Sequence, residues 1–131
     1  MRFSLSIHEQ LEDGRFVVTN CSNDGCQPGP EHTALAVAGA YDIPNGTVFT
    51  KLLARRSVTE SGTYALETVR DECVSLKIEE IEFFRKIVDV VPNGHHAAVR
   101  LIGVGNELVR SWLSSKPGNG FIHLSTDGNE T

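Results

Sequence analysis

"IEFFRKIVDVVPNGHHAAVRLIGVGNELVRSWL", residues 81–113, admits two incompatible folds. Coiled, it ends in a helix-turn-helix over residues 98–115. Ala98, Ile102, Gly103, Val104, Val109 and Trp112 have the spacing for it, and Asn106 and Arg110 would then face DNA. Extended, it is a set of strands that reverse at Pro92-Asn93-Gly94, a strong turn signal. Ile87-Val88-Asp89-Val90-Val91 is β-branched at every position but the aspartate, which suits a pleated surface. Beyond the turn, Ala97, Val99 and Leu101 alternate with Ala98, Arg100 and Ile102. Against the helices, Gly103 and Gly105 would each cost about 1 kcal/mol relative to alanine. The recognition helix would also carry a single cation, Arg110. The extended reading explains more of the chain. The DNA-binding regulator stands as the alternative.

The neighbouring stretches lean the same way. In ECVSLKIEEIEFF, Val74, Leu76 and Ile78 alternate, and the apolar face then switches to Ile81 and Phe83. A one-residue change of phase is what a β-bulge produces. A helix of period near 3.5 through residues 74, 78, 81, 84, 88 and 91 fits the same letters, so periodicity alone does not choose. VTESGTYALETV reads as two runs turned at Ser61-Gly62. Pro44-Asn45-Gly46 interrupts TALAVAGAYDIPNGTVFTKLLARRSV, and the proline disfavours a helix through Ile43. At the N-terminus, Phe3, Leu5 and Ile7 alternate with polar residues, and Asp13-Gly14 turns the chain into RFVVTN, a β-hairpin. CSNDGCQPGPE is a loop and the expected boundary. Residues 1–30 are therefore an N-terminal hairpin and loop, packed on or extending a main body of residues 31–131. The tail STDGNET is expected to fray. No internal repeat stands out.

The bulk numbers bound the function. At 131 residues, 40% hydrophobic and 22% charged, the chain can bury a core without a metal or disulfide staple. A net charge of −5 argues against a general polyanion binder but permits a local basic patch. Three cysteines, Cys21, Cys26 and Cys73, cannot all pair within one chain and lack zinc-type spacing, and a reduced, cytoplasmic protein is the simplest account. MRFSLSIHEQ contains no apolar block of the signal-peptide kind, and HTALAVAGAY is too short to span a bilayer.

Three stretches in order, YDIPNGTVFTKLLARRSVTESG, VSLKIEEIEFFRKIVDVVPNGHHAAVRLIGV and NELVRSWLSSKPG, resemble the second domain of the translational GTPases, in particular elongation factor Tu. The resemblance rests on Ile43-Pro44, Gly46-Thr47-Val48, Phe84-Arg85-Lys86, Gly94, Gly103 and Lys116-Pro117-Gly118, and covers about residues 33–118. It implies an all-β fold, a closed six-stranded antiparallel β-barrel, to which the N-terminal β-hairpin is added. In that family the barrel helps to bind the aminoacyl end of transfer RNA and contacts the ribosome. The acidic residue and asparagine that follow the family's turn glycine are His95 and His96 here. The family's Arg-Gly before its last strand is Arg110-Ser111, with Trp112 next.

No GxxxxGK[ST] phosphate loop is present, so GTP hydrolysis is not expected. His95 and His96 are adjacent and on a strand would face opposite sides, a poor arrangement for one metal. Cys73, at the start of an apolar strand, reads as a buried structural thiol. The expectation is a non-enzymatic binding module, without cofactor or metal, recognising RNA, a translation component or a protein. Arg55, Arg56, Arg85, Lys86, Arg100 and Arg110 hold half of the 12 cations and are the candidate binding residues, with His95, His96 and Trp112. Trp112 is either an exposed anchor or a plug at one end of the barrel.

Overall fold

The computed structural model describes residues 3–22, 41–60, 62–118 and 120–126. Its elements run β1 (Ser4–Gln10), β2 (Phe16–Asn20), β3 (Ile43–Pro44), β4 (Val48–Glu60), β5 (Thr63–Phe83), β6 (Lys86–Val88), β7 (Val90–Val91), β8 (His96–Val104), α1 (Asn106–Ser115) and β9 (Gly120–Ser125). The described chain is thus mostly β, with one helix. Its main sheet has the order β4-β9-β1-β2-β8-β5-β6, and β4 also pairs with β5, so that six strands form a ring. Every pairing in it is antiparallel. The ring's interior is filled by alternate residues: Leu5 and Ile7 from β1, Phe16 and Val18 from β2, Phe49 and Leu52 from β4, Val99 from β8, Leu124 from β9. Each such side chain, withdrawn from water, contributes about 1.5–3 kcal/mol.

The opening stretch is extended where it had to be for this ring. Ala97, Val99 and Leu101 are buried and Ile102 is exposed, as the alternation demands. The phase change in β5 is a bulge: Ile78 pairs with Leu101, Glu80 with Arg100, and both Ile78 and Ile81 point inward. The helical period through residues 74–91 is not used. The run 87–91 is two short strands, broken at Asp89, whose carbonyl accepts a bond from the Asn45 amide.

Residues 98–115 do not form a helix-turn-helix. Ala98–Val104 lie in β8, and only α1 is helical. The corner between them is where the glycines matter. Gly103 has φ +129°, and a Cβ there would lie 2.1 Å from the Ser75 carbonyl oxygen. Gly105, at φ +125°, would meet Val74. The two glycines let the chain pass tightly over β5. α1 stops at Lys116 because the residue before Pro117 is held extended. The helix also departs from the resemblance, which placed Arg110-Ser111 directly before a last strand. The last strand of the ring is β9, beyond the stretch that carries the likeness.

The ring is covered at both ends. At one, α1 buries Val109 and Trp112 against the core, so Trp112 is the plug rather than an exposed anchor. At the other, β3 pairs with β7 and buries Ile43 and Val91. Asn20 fastens that end: its Nδ2 donates to the carbonyls of Tyr41 (2.7 Å) and Val91 (2.8 Å), and its Oδ1 accepts the Ser22 amide. A fully buried asparagine satisfied on all sides costs nothing in unpaired polarity.

Several expectations change. Of the two arrangements expected for the N-terminal hairpin, β1 and β2 extend the sheet, as consecutive members of the ring. Its Asp13-Gly14 turn is where the sequence put it. Cys21 is disulfide-bonded, which removes the redox argument for a reducing, cytoplasmic setting. Cys73 is an exposed free thiol, because in β5 it is Val74 that faces inward. Glu60 pairs with Thr63 around the expected turn at Ser61-Gly62, while Ser61, Cys26, most of the loop at 21–31 with the boundary after residue 30, and most of the tail lie outside the described residues. Among the described residues no helix is long and apolar enough to cross a membrane.

Candidate functional site

The two strands that close the ring are irregular where they meet α1. Ala54 pairs with Arg70 but Arg55 pairs with Thr68, so β5 carries one extra residue, Val69. Such a bulge re-aims neighbouring side chains. Here Arg55, Arg56, Val69 and Arg70 border one hollow. α1 brings Trp112 and Ser115 to it, Lys116 and Pro117 follow, and β9 adds Gly120, Phe121 and Ile122. The result is a cleft of about 290 Å³ whose lining contains Arg55, Arg56, Arg70 and Lys116 and no carboxylate. Pro117 and Gly120 are tied by an amide–carbonyl bond of 2.9 Å, and a Cβ at Gly120 would press on Pro117 at 3.0 Å.

Arg70 holds its guanidinium 4.3 Å from the centroid of the Trp112 ring. A cation over an indole face is attracted by about 0.5–2 kcal/mol, which keeps Arg70 at the cleft. The Trp112 Nε1 is buried and has no hydrogen-bond partner among the described residues. Phe121 keeps 37% of its surface open and its ring stacks on His123, centroids 6.3 Å apart. Arg56 is also engaged, with its Nε 2.5 Å from the Glu67 carboxylate, both side chains about half exposed.

The positive field reaches beyond the lining. Burial, then the neighbouring His96 and Lys116, hold the His8 imidazole below its ordinary value. Burial, then Arg55 and His8, push His123 down to about 3. Both rings therefore stay neutral near pH 7, and the cleft's charge resides in arginine and lysine.

The cations expected to share a stripe are split. Arg55, Arg56 and Trp112 come together. Arg85 and Lys86 sit at the β5–β6 turn, at the far end of the strand that carries Arg70. His95 lies there too, its ring 5.6 Å from Phe83. His96 stacks on His8 at 5.4 Å, and His8 in turn meets the Thr19 hydroxyl at 2.6 Å. Arg100 donates to the Asp13 carbonyl across the first hairpin, and Arg110 is exposed on α1. Arg70, Lys116 and Phe121 were not singled out by sequence reasoning. Lys116 drew notice only within Lys-Pro-Gly, and nothing local marks Phe121, because its partners come from β4 and α1. Among the described residues no group of three or more His, Cys, Asp or Glu is placed to hold a metal.

No family model, curated protein or solved structure matches this chain.

Proposed function

We propose that this chain is a non-enzymatic binding module on a translation-factor-like β-barrel, and that its ligand is RNA. The supporting observation is the cleft: four cations gathered around apolar and aromatic walls, without a lining carboxylate, in a protein of net charge −5. Arginines bind phosphate through planar, multi-donor forks, and aromatic neighbours accept bases, so the combination suits a polynucleotide. The six-strand ring supports the barrel reading, and the order of Ile43-Pro44, Phe84-Arg85-Lys86 and Lys116-Pro117-Gly118 supports the family likeness.

Titration of a fluorescein-labelled RNA by anisotropy tests the proposal. Binding should weaken with salt, with a slope of log K against log salt of about −2 if three phosphates are neutralised. Lys116→Glu should weaken it about tenfold or more. Absence of RNA binding at about 50 mM salt, where such contacts are strongest, would refute it.

A further inference from the structure

We infer that the β5–β6 turn is a docking tip for an anionic lipid surface: Phe84 and Ile87 enter the membrane interface while Arg85 and Lys86 meet its headgroups. The turn lies at the far end of β5 from the cleft, so it stands apart from the RNA reading. The first observation is exposure. Phe84 is 81% exposed and Ile87 65%, and Arg85 and Lys86 fill the two positions between them. Both cations are exposed, and neither side chain has an ion pair among the described residues. Glu82, which stands across from Ile87, is already bound by Arg15 and does not neutralise them. The second observation is how the tip is held. Among the described residues Phe84 and Arg85 are the only non-glycine residues at positive φ, +52° and +66°. Asn-Gly would make the same reversal with less strain. Strain of this kind collects where function dictates which side chain is presented. Phe83 packs against the core, and its ring meets Phe84 edge-on with centroids 4.4 Å apart. Phe84 therefore projects into solvent from a rooted neighbour.

Size and chemistry choose the occupant. Four residues at a turn offer far less than the roughly 800 Å² per partner that a stable protein interface covers. A nucleic acid can stack a base on Phe84, but Ile87 has no π face to offer and would stay in water. A bilayer interface takes up both apolar side chains at once, and acidic headgroups attract the two cations between them. In a chain of net charge −5, cations gathered at the turn also set which end faces the lipid.

The test sediments the whole chain with vesicles of phosphatidylcholine containing about 30% phosphatidylserine, and with vesicles of phosphatidylcholine alone. The chain should bind the acidic vesicles at least about tenfold more strongly, and rising salt should weaken that binding. Phe84→Asn with Arg85→Gly, which relaxes the turn, should weaken it about tenfold or more. Ile87→Thr, β-branched like the residue it replaces, should weaken it about threefold or more. Arg85→Glu with Lys86→Glu should abolish it. Val104→Thr, at a comparably exposed apolar site away from the tip, should change nothing. Circular dichroism checks the fold of each variant, and the charge reversal decides if the relaxed turn does not fold. Failure to bind acidic vesicles at about 50 mM salt, where headgroup attraction is strong, overturns the inference. Equal binding to neutral vesicles, or indifference to both the relaxed turn and the charge reversal, also overturns it. If the charge reversal weakens labelled RNA and leaves vesicles alone, the tip serves the polynucleotide and the lipid reading is overturned.

Discussion

His123 is 2% exposed, stacked on Phe121, with its Nδ1 unpartnered among the described residues. Burial, Arg55 and His8 lower its pKa to about 3. The unfolded chain takes up this proton near the ordinary value of 6.5, and the folded chain does not until about 3. Stability therefore falls as pH drops through that window. The slope is up to about 1.4 kcal/mol per pH unit, or about 2 kcal/mol lost by pH 5. His8, also lowered, acts with the same sign. Urea unfolding at pH 7 and pH 5 should show the loss, and His123→Leu should remove most of it. An unchanged pH dependence in that variant would contradict the assignment. The sequence shows a histidine at 123 but not its neighbours. Arg55 reaches it from β4 and His8 from β1, and neither is near in the chain.

The turns were the most readable elements. Pro44-Asn45-Gly46 and Pro92-Asn93-Gly94 both place a glycine at positive φ. They are also used alike. The Gly46 amide donates to the Ile78 carbonyl and Thr47 accepts the Ile78 amide. The Gly94 amide donates to the Asn20 carbonyl and His95 accepts the Asn20 amide. Each follows one strand of the β3–β7 pair. The two halves thus repeat an arrangement that no sequence repeat announces, because three shared residues suffice to form the turn and the flanks diverge. The β5–β6 turn is the opposite case. Phe84 and Arg85 take φ of +52° and +66° in a two-residue reversal between Phe83 and Lys86, a conformation that favours Asn-Gly. A left-handed non-glycine residue costs about 1–2 kcal/mol. Phe84→Asn with Arg85→Gly should raise the melting temperature by about 4 °C or more, read by circular dichroism. No rise would show that the turn stores no strain.

Closure of the ring makes the chain one cooperative unit. β1 lies between β9 and β2, and β2 between β1 and β8, so β1 and β2 join β9 to β8. A chain beginning at residue 31 would lose Leu5, Ile7, Phe16 and Val18 from the core and expose the edges of β8 and β9. It should not fold, showing neither a cooperative thermal transition nor dispersed amide resonances. A folded fragment would mean that the hairpin is dispensable after all.

Local chemistry wrote the strands, the bulge near Glu79 and the turns into the order of residues, because alternation and backbone preference act between near neighbours. It also left Ala98–Ser115 ambiguous. There Gly103 can serve a helical corner or a strand that crosses another closely, and contact with Ser75 chooses the second. Which strands neighbour one another, where α1 seats Trp112, and which cations converge were decided only by closing the ring. Those contacts join residues far apart in the chain, and the entropy of bringing them together is repaid by the shared core rather than by any local preference.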